Sequence, residues 1–165
     1  MKKIFIFLFI CILISGCAKT KIQPVTYQEI NKFIADNYLQ ALDFKLVGDI
    51  AIILFEDEVR TGYYLLYKNE DNTLKNKLAF GLSNSTKPVI IYATASAIPF
   101  VSLIIKDNDL LESAHSVEVV LESQTTIKDQ ISNKGIIIPY DKQDSTSYSN
   151  VIIYDEYGKM IYSHN

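Results

Sequence analysis

Apolar side chains follow three successive patterns along this chain, and each predicts a different kind of element. The first is an unbroken run from Ile4 to Ile14, eleven residues preceded by Lys2 and Lys3 and followed by the small residues Ser15 and Gly16. Crossing a bilayer as a helix takes roughly 20 apolar residues, so a run this short between a basic start and small residues reads as a removable secretory signal over residues 1–16. In the second pattern, Ile30, Phe33, Ile34, Tyr38, Ala41 and Leu42 recur at spacings of three and four, which places them on one face of a helix. Thr26-Tyr27-Gln28-Glu29 fits a capping box at the start of that helix, with the threonine hydroxyl and glutamate carboxylate satisfying free backbone N–H groups. Its polar face carries Lys32, Asp36 and Gln40, which is not the strongly basic face of a helix lying on a membrane, so the apolar stripe is read as core.

The third pattern begins at Asp49, where β-branched and aromatic runs alternate with clusters of turn residues. Strands are predicted near 49–56, 61–68, 77–83, 88–95, 99–106, 116–123, 135–139, 150–154 and 159–163. Polar loops fall at Glu56-Asp57-Glu58, Asn69-Glu70-Asp71-Asn72, Ser83-Asn84-Ser85-Thr86 and 141–149, and Asp107-Asn108-Asp109 caps one helical turn reaching Ala114. Asp155-Glu156-Tyr157-Gly158 suits a type I hairpin turn closed by a left-handed glycine. The runs Ile50–Phe55 and Phe100–Ile105 are apolar on both faces, which requires cover on both sides. Short connections favour antiparallel neighbours. The expected fold is therefore mainly β (α+β at the margin), a short N-terminal helix packed on a two-layer, mostly antiparallel β domain.

The end of the signal run adds chemistry. Leu13-Ile14-Ser15-Gly16-Cys17 resembles the bacterial lipobox, after which the cysteine thiol receives diacylglycerol and the leader is removed. One acyl chain binds a membrane only marginally, whereas the two of a diacylglycerol give a stable anchor. Residues 17–25 then form a lipidated flexible tether in which Lys19 and Lys21 can face anionic headgroups, and residues 26–165 form a single globular domain. The expected location is the outer face of the cytoplasmic membrane of a Gram-positive bacterium. Cleavage removes Cys11 and acylation consumes Cys17, so the mature domain keeps no thiol for a disulfide, a nucleophile or zinc. Loss of Lys2 and Lys3 leaves 14 basic against 19 acidic side chains, a formal balance of about −5 that disfavours nucleic acid and suits a cationic partner.

Motifs for catalysis or metal binding are absent from the sequence. His115 and His164 stand in no H-E-x-x-H arrangement, the latter is expected to fray at the C-terminus, and there is no G-x-S-x-G elbow, S-x-x-K pair or phosphate-binding glycine loop. Asp107-Asn108-Asp109 with Glu112 lacks the glycine and the twelfth ligand of a calcium loop. No catalytic residue, metal or cofactor is assigned, and the chain is read as a non-enzyme. Eleven tyrosines and no tryptophan remain to be explained. Most suit strands, but Tyr154 and Tyr157 sit beside Asp155 and Glu156, and such an acidic-aromatic hairpin can accept a lysine-bearing peptide through charge and cation–π contact.

The LISGC lipobox, the Lys19/Lys21 tether, the short helix from Tyr27 and a cysteine-free β domain ending in Val151 to Tyr162 together resemble the lantibiotic immunity lipoproteins, those of subtilin producers in particular. The resemblance covers the chain in size and layout. It implies self-immunity by interception of a cationic, pore-forming, lipid II-directed lantibiotic at the membrane, with an immunity ABC exporter as collaborator. Only Cys17 carries over as a functional residue. Two other readings stand beside it: a general cell-envelope binding or assembly lipoprotein whose tyrosines stack on sugar rings, and a small cell-wall hydrolase.

Overall fold

The computed structural model describes residues 22–83, 85–94, 98–141 and 147–165. The signal segment, Cys17, Lys19 and Lys21 lie outside the described residues. Among the described residues, eleven strands and two helices follow in the order α1 (Tyr27–Asp36), β1 (Ala41–Val47), β2 (Ile50–Glu56), β3 (Arg60–Lys68), β4 (Leu74–Leu82), β5 (Val89–Thr94), β6 (Phe100–Ile105), α2 (Asn108–Ser113), β7 (Ser116–Leu121), β8 (Thr126–Gln130), β9 (Gly135–Pro139), β10 (Tyr148–Tyr154) and β11 (Met160–His164). The chain is mainly β, its strand pairs are antiparallel, and a short helix near the N-terminus packs on the sheets.

The strands form three sheets, β1-β2-β3-β4 (sheet A), β5-β6-β9 (sheet B) and β11-β10-β7-β8 (sheet C). Three apolar clusters show how these stack. Ile30, Phe33 and Ile34 of α1 pack on Ala51, Ile53 and Leu66 of sheet A. Ile52 and Leu54, on the other face of β2, meet Phe100 and Ile104 of β6 and Ile137 of β9. Val101, Leu103 and Ile105, on the far side of β6, meet Val117, Val119, Val151 and Ile153 of sheet C. The cover demanded by the doubly apolar strands is thus supplied twice: β2 lies between helix and sheet B, and β6, buried along its whole length, lies between sheets A and C.

Polar contacts register these layers. Glu56, at the end of β2, accepts from Lys106 and Lys134, which flank β6 and β9 in sheet B. Burial opposes ionisation of Glu56, but hydrogen bonds from both lysines outweigh it and hold its carboxyl below the ordinary range. The Ile137 N–H on the outer edge of β9 donates to the Asp43 carboxylate of β1 at 2.9 Å. Burial nevertheless raises the Asp43 pKa. Gly135 is required at this junction, because a Cβ there would come within 2.5 Å of Leu42 Cβ.

The capping box forms as expected, with Glu29 N–H donating to Thr26 Oγ1 and Thr26 N–H donating to Glu29. Glu29 also pairs at 2.9 Å with Lys68, whose side chain is only 6 % exposed, so the cap is bolted to β3. The helix stops sooner than its apolar spacing predicts. Asn37 caps it and Tyr38 turns to φ 51°, after which Ala41 and Leu42 belong to β1, correcting their assignment to the helical stripe. Strand β8 was not predicted either. Its sequence, Thr-Ile-Lys-Asp-Gln, turns a single apolar side chain, Ile127, inward beside Asp129, and β7 recruits it as an edge.

Candidate functional site

Sheet C carries the acidic-aromatic hairpin singled out in the sequence. Asp155 N–H donates to the Lys159 carbonyl at 3.0 Å and Gly158 N–H to the Asp155 carbonyl at 3.1 Å, closing the turn, with Gly158 at φ 77° where a Cβ would be strained. One oxygen of Asp155, Oδ1, accepts the N–H groups of Tyr157 and Lys159 at 3.0 and 2.8 Å. That carboxylate is therefore chiefly a turn-former.

Helix α2 brings the second wall of the site. Asp107 caps it, accepting the Leu110 N–H at 2.9 Å, and Leu110 and Leu111 pack into the core between sheets B and C. Glu112 is left on the exposed side. The segment after the helix is tied down when His115 N–H donates to the Tyr154 carbonyl at 2.8 Å, which fixes α2 against the end of β10. Between helix and hairpin lies an open cleft of about 450 Å³ bordered by Glu112, Ser113, Ala114, His115, Asp155, Glu156 and Tyr157.

The structure thus gathers three of the four predicted binding residues, Asp155, Glu156 and Tyr157, at one cleft. Tyr154 is not among them. It points to the outer face of sheet C, where the Lys128 ammonium stands 5.9 Å from its ring and is itself bonded to Glu118 at 2.8 Å. The aromatic face proposed for a ligand cation is occupied by the chain's own lysine. Glu112 and His115 are the residues that sequence reasoning did not place here, since one was read as part of a capped turn and the other as a strand start. Neither Glu112 nor Glu156 takes part in an ion pair among the described residues. Tyr157 is 86 % exposed and offers its whole ring. The Ser113 hydroxyl beside His115 donates to the Asp109 carbonyl at 3.0 Å. What this arrangement can do is attract and hold a cation against a flat apolar ring.

A second, smaller groove of about 280 Å³ runs between β4 and β5, with Tyr148 and His164 on its rim. Its floor is closed by Tyr92, whose hydroxyl contacts Thr61 Oγ1 at 2.7 Å and donates to the Thr61 carbonyl at 2.8 Å. His164, expected to fray, pairs with Val151 in β11 and is half-buried. No family model, curated protein or solved structure matches the chain.

Proposed function

We propose that this chain is an exported lipoprotein, held by diacylglycerol on Cys17, that protects a lantibiotic producer by binding its own cationic peptide at the outer face of the membrane. The observation that carries the peptide-binding half is the cleft between α2 and the last hairpin, where Glu112 and Glu156 have no cationic partner among the described residues and stand beside the exposed ring of Tyr157. A lysine side chain entering it would meet two carboxylates and lay its methylenes on the tyrosine. The excess of acidic residues steers a cationic peptide inward, an effect that salt screens. Tethering concentrates the binder where the peptide arrives, so a modest intrinsic affinity suffices.

The test is a residue-resolved titration of residues 18–165 with purified cationic lantibiotics at two salt concentrations. Shifts are expected to centre on Glu112, His115, Glu156 and Tyr157, and affinity to fall as salt rises. Replacing both free carboxylates, Glu112→Gln with Glu156→Gln, should weaken binding about tenfold, the worth of two partly exposed charge contacts. Absence of shifts with every cationic lantibiotic tried would overturn the reading. Shifts with neutral wall glycans instead would favour the envelope-binding alternative.

A further inference from the structure

The helix side of sheet A is an apolar face only partly covered. Helix α1 lies over Ala51, Ile53 and Leu66, but β4, the edge strand, extends beyond it. Leu78, Phe80 and Leu82, on alternate positions and therefore on one face, are 38 %, 56 % and 62 % exposed. Across the ladder they oppose Tyr64, Gly62 and Arg60, so Phe80 has no side chain opposite to lay over it. The Arg60 guanidinium stands 5.9 Å from the Phe80 ring. Val59 and Tyr38 continue the stripe at one end of the face, and Tyr27 and Ile22 lie at the other. Of the nine large apolar side chains exposed among the described residues, these account for seven. The other two, Tyr157 and Met160, belong to the last hairpin. Such segregation marks a contact surface, because exposed apolar residues on a monomeric soluble protein are ordinarily scattered.

Where the chain enters this face says what covers it. Gln23 N–H donates to Asn72 Oδ1 in the turn that leads into β4, and Val25 N–H to the Asp49 carbonyl between β1 and β2. Ile22 follows Cys17 by five residues, which extend to at most about 18 Å. A lipid on Cys17 is therefore held near the foot of the apolar stripe. The side chains suit the site: the exposed tyrosines at 27 and 38 match the preference of that residue for the membrane–water boundary.

We infer that the helix side of sheet A, centred on Leu78, Phe80 and Leu82, rests on the outer leaflet that holds the lipid of Cys17, which turns sheet C and its acidic cleft toward the incoming peptide. The inference rests on the lipoprotein reading of Cys17 and adds an orientation to it. Because the chain lacks tryptophan, Phe80→Trp creates a single fluorescent reporter, Leu82→Trp a second one on the same stripe, and Met160→Trp a comparator on sheet C. Each full-length variant is expressed, its Cys17 checked for lipid by mass spectrometry, and the protein reconstituted in vesicles of phosphatidylcholine and phosphatidylglycerol with brominated acyl chains. Phe80→Trp and Leu82→Trp are expected to emit at shorter wavelength than in detergent-free solution and to be quenched severalfold more than Met160→Trp.

Equal, weak quenching of all three on acylated, vesicle-bound protein would overturn the orientation while leaving the anchor. Unmodified Cys17 with no vesicle binding would overturn the anchor, and the orientation with it. A short-wavelength emission from Phe80→Trp without vesicles, at twice the monomer mass, would assign the stripe to a second copy of the chain and overturn the lipid contact.

Discussion

The two outer surfaces of the stack are built on opposite plans. Sheet C alternates: in β7, Val117, Val119 and Leu121 point inward while Ser116, Glu118 and Val120 point out, and Glu118 is paired with Lys128. Its outer face is only half-exposed and mixes polar with apolar side chains. The outer face of sheet A is mostly apolar, and the cluster under α1 takes in residues of all four strands but leaves Leu78, Phe80 and Leu82 of β4 exposed. One surface pairs its charges within the sheet, and the other leaves Leu78, Phe80 and Leu82 open to water. An exposed strand with the wrong polarity for water therefore informs about partners more than any motif in this chain does.

The sharpest way to break the comparison is at the contact that covers sheet A. Ile30→Ala should cost about 3 kcal/mol, since Ile30 is fully buried beneath the helix, whereas Ile152→Thr on the outer face of sheet C should cost about 1 kcal/mol or less. Urea unfolding of the two variants measures both, and equal losses would mean that the helix is not what completes sheet A. Next in size is Glu56→Gln, expected to cost about 2 kcal/mol by leaving two lysines without their shared carboxylate. The native pKa of Glu56 is depressed, so its contribution is complete above the ordinary glutamate range and lost as pH falls through the native value. Asp43 has the opposite sign: with its pKa raised, its charge detracts from stability once pH exceeds the native value. The titratable groups of the B–C cluster are the phenols of Tyr140, Tyr148 and Tyr162, which burial pushes up and away from the acid range, so acid should raise hydrogen exchange in β2 before β10. Smallest is Phe80→Ser, which should change stability by less than about 0.5 kcal/mol because the ring is already mostly in water. A larger loss in unfolding experiments would show that the stripe serves the fold and not a partner.

Local signals made much of the fold legible. Thr26 and Glu29 announced the helix start, Asp107 the cap of α2, Asp155 to Gly158 the last turn, and the runs around Ile53 and Leu103 strands covered on both faces. Each rests on residues adjacent in sequence or on simple alternation. The helix end was misread because Ala41 and Leu42 continue the helical spacing although Asn37 and Tyr38 have already turned the chain. The asparagine was the available signal. Strand β8 left almost none, since an edge strand can be polar and is defined by the neighbour that pairs with it. For the cleft, the hairpin half was visible and the Glu112 half was not, because α2 reaches Asp155 only through the pairing of β7 with β10.

The order of strands also sets how the molecule comes together in time. Sheet A is a meander of consecutive strands and can close as soon as residues 41–82 are available. The central strand β6 must wait for β9, across roughly 30 residues that first form α2, β7 and β8, and closing so long a loop is slow. Until then Ile52 and Leu54 can meet the β5–β6 hairpin through Phe100 and Ile104 but lack Ile137. The last piece of that layer to be made, residues 135–139, is thus the one that completes the cover of both β2 and β6.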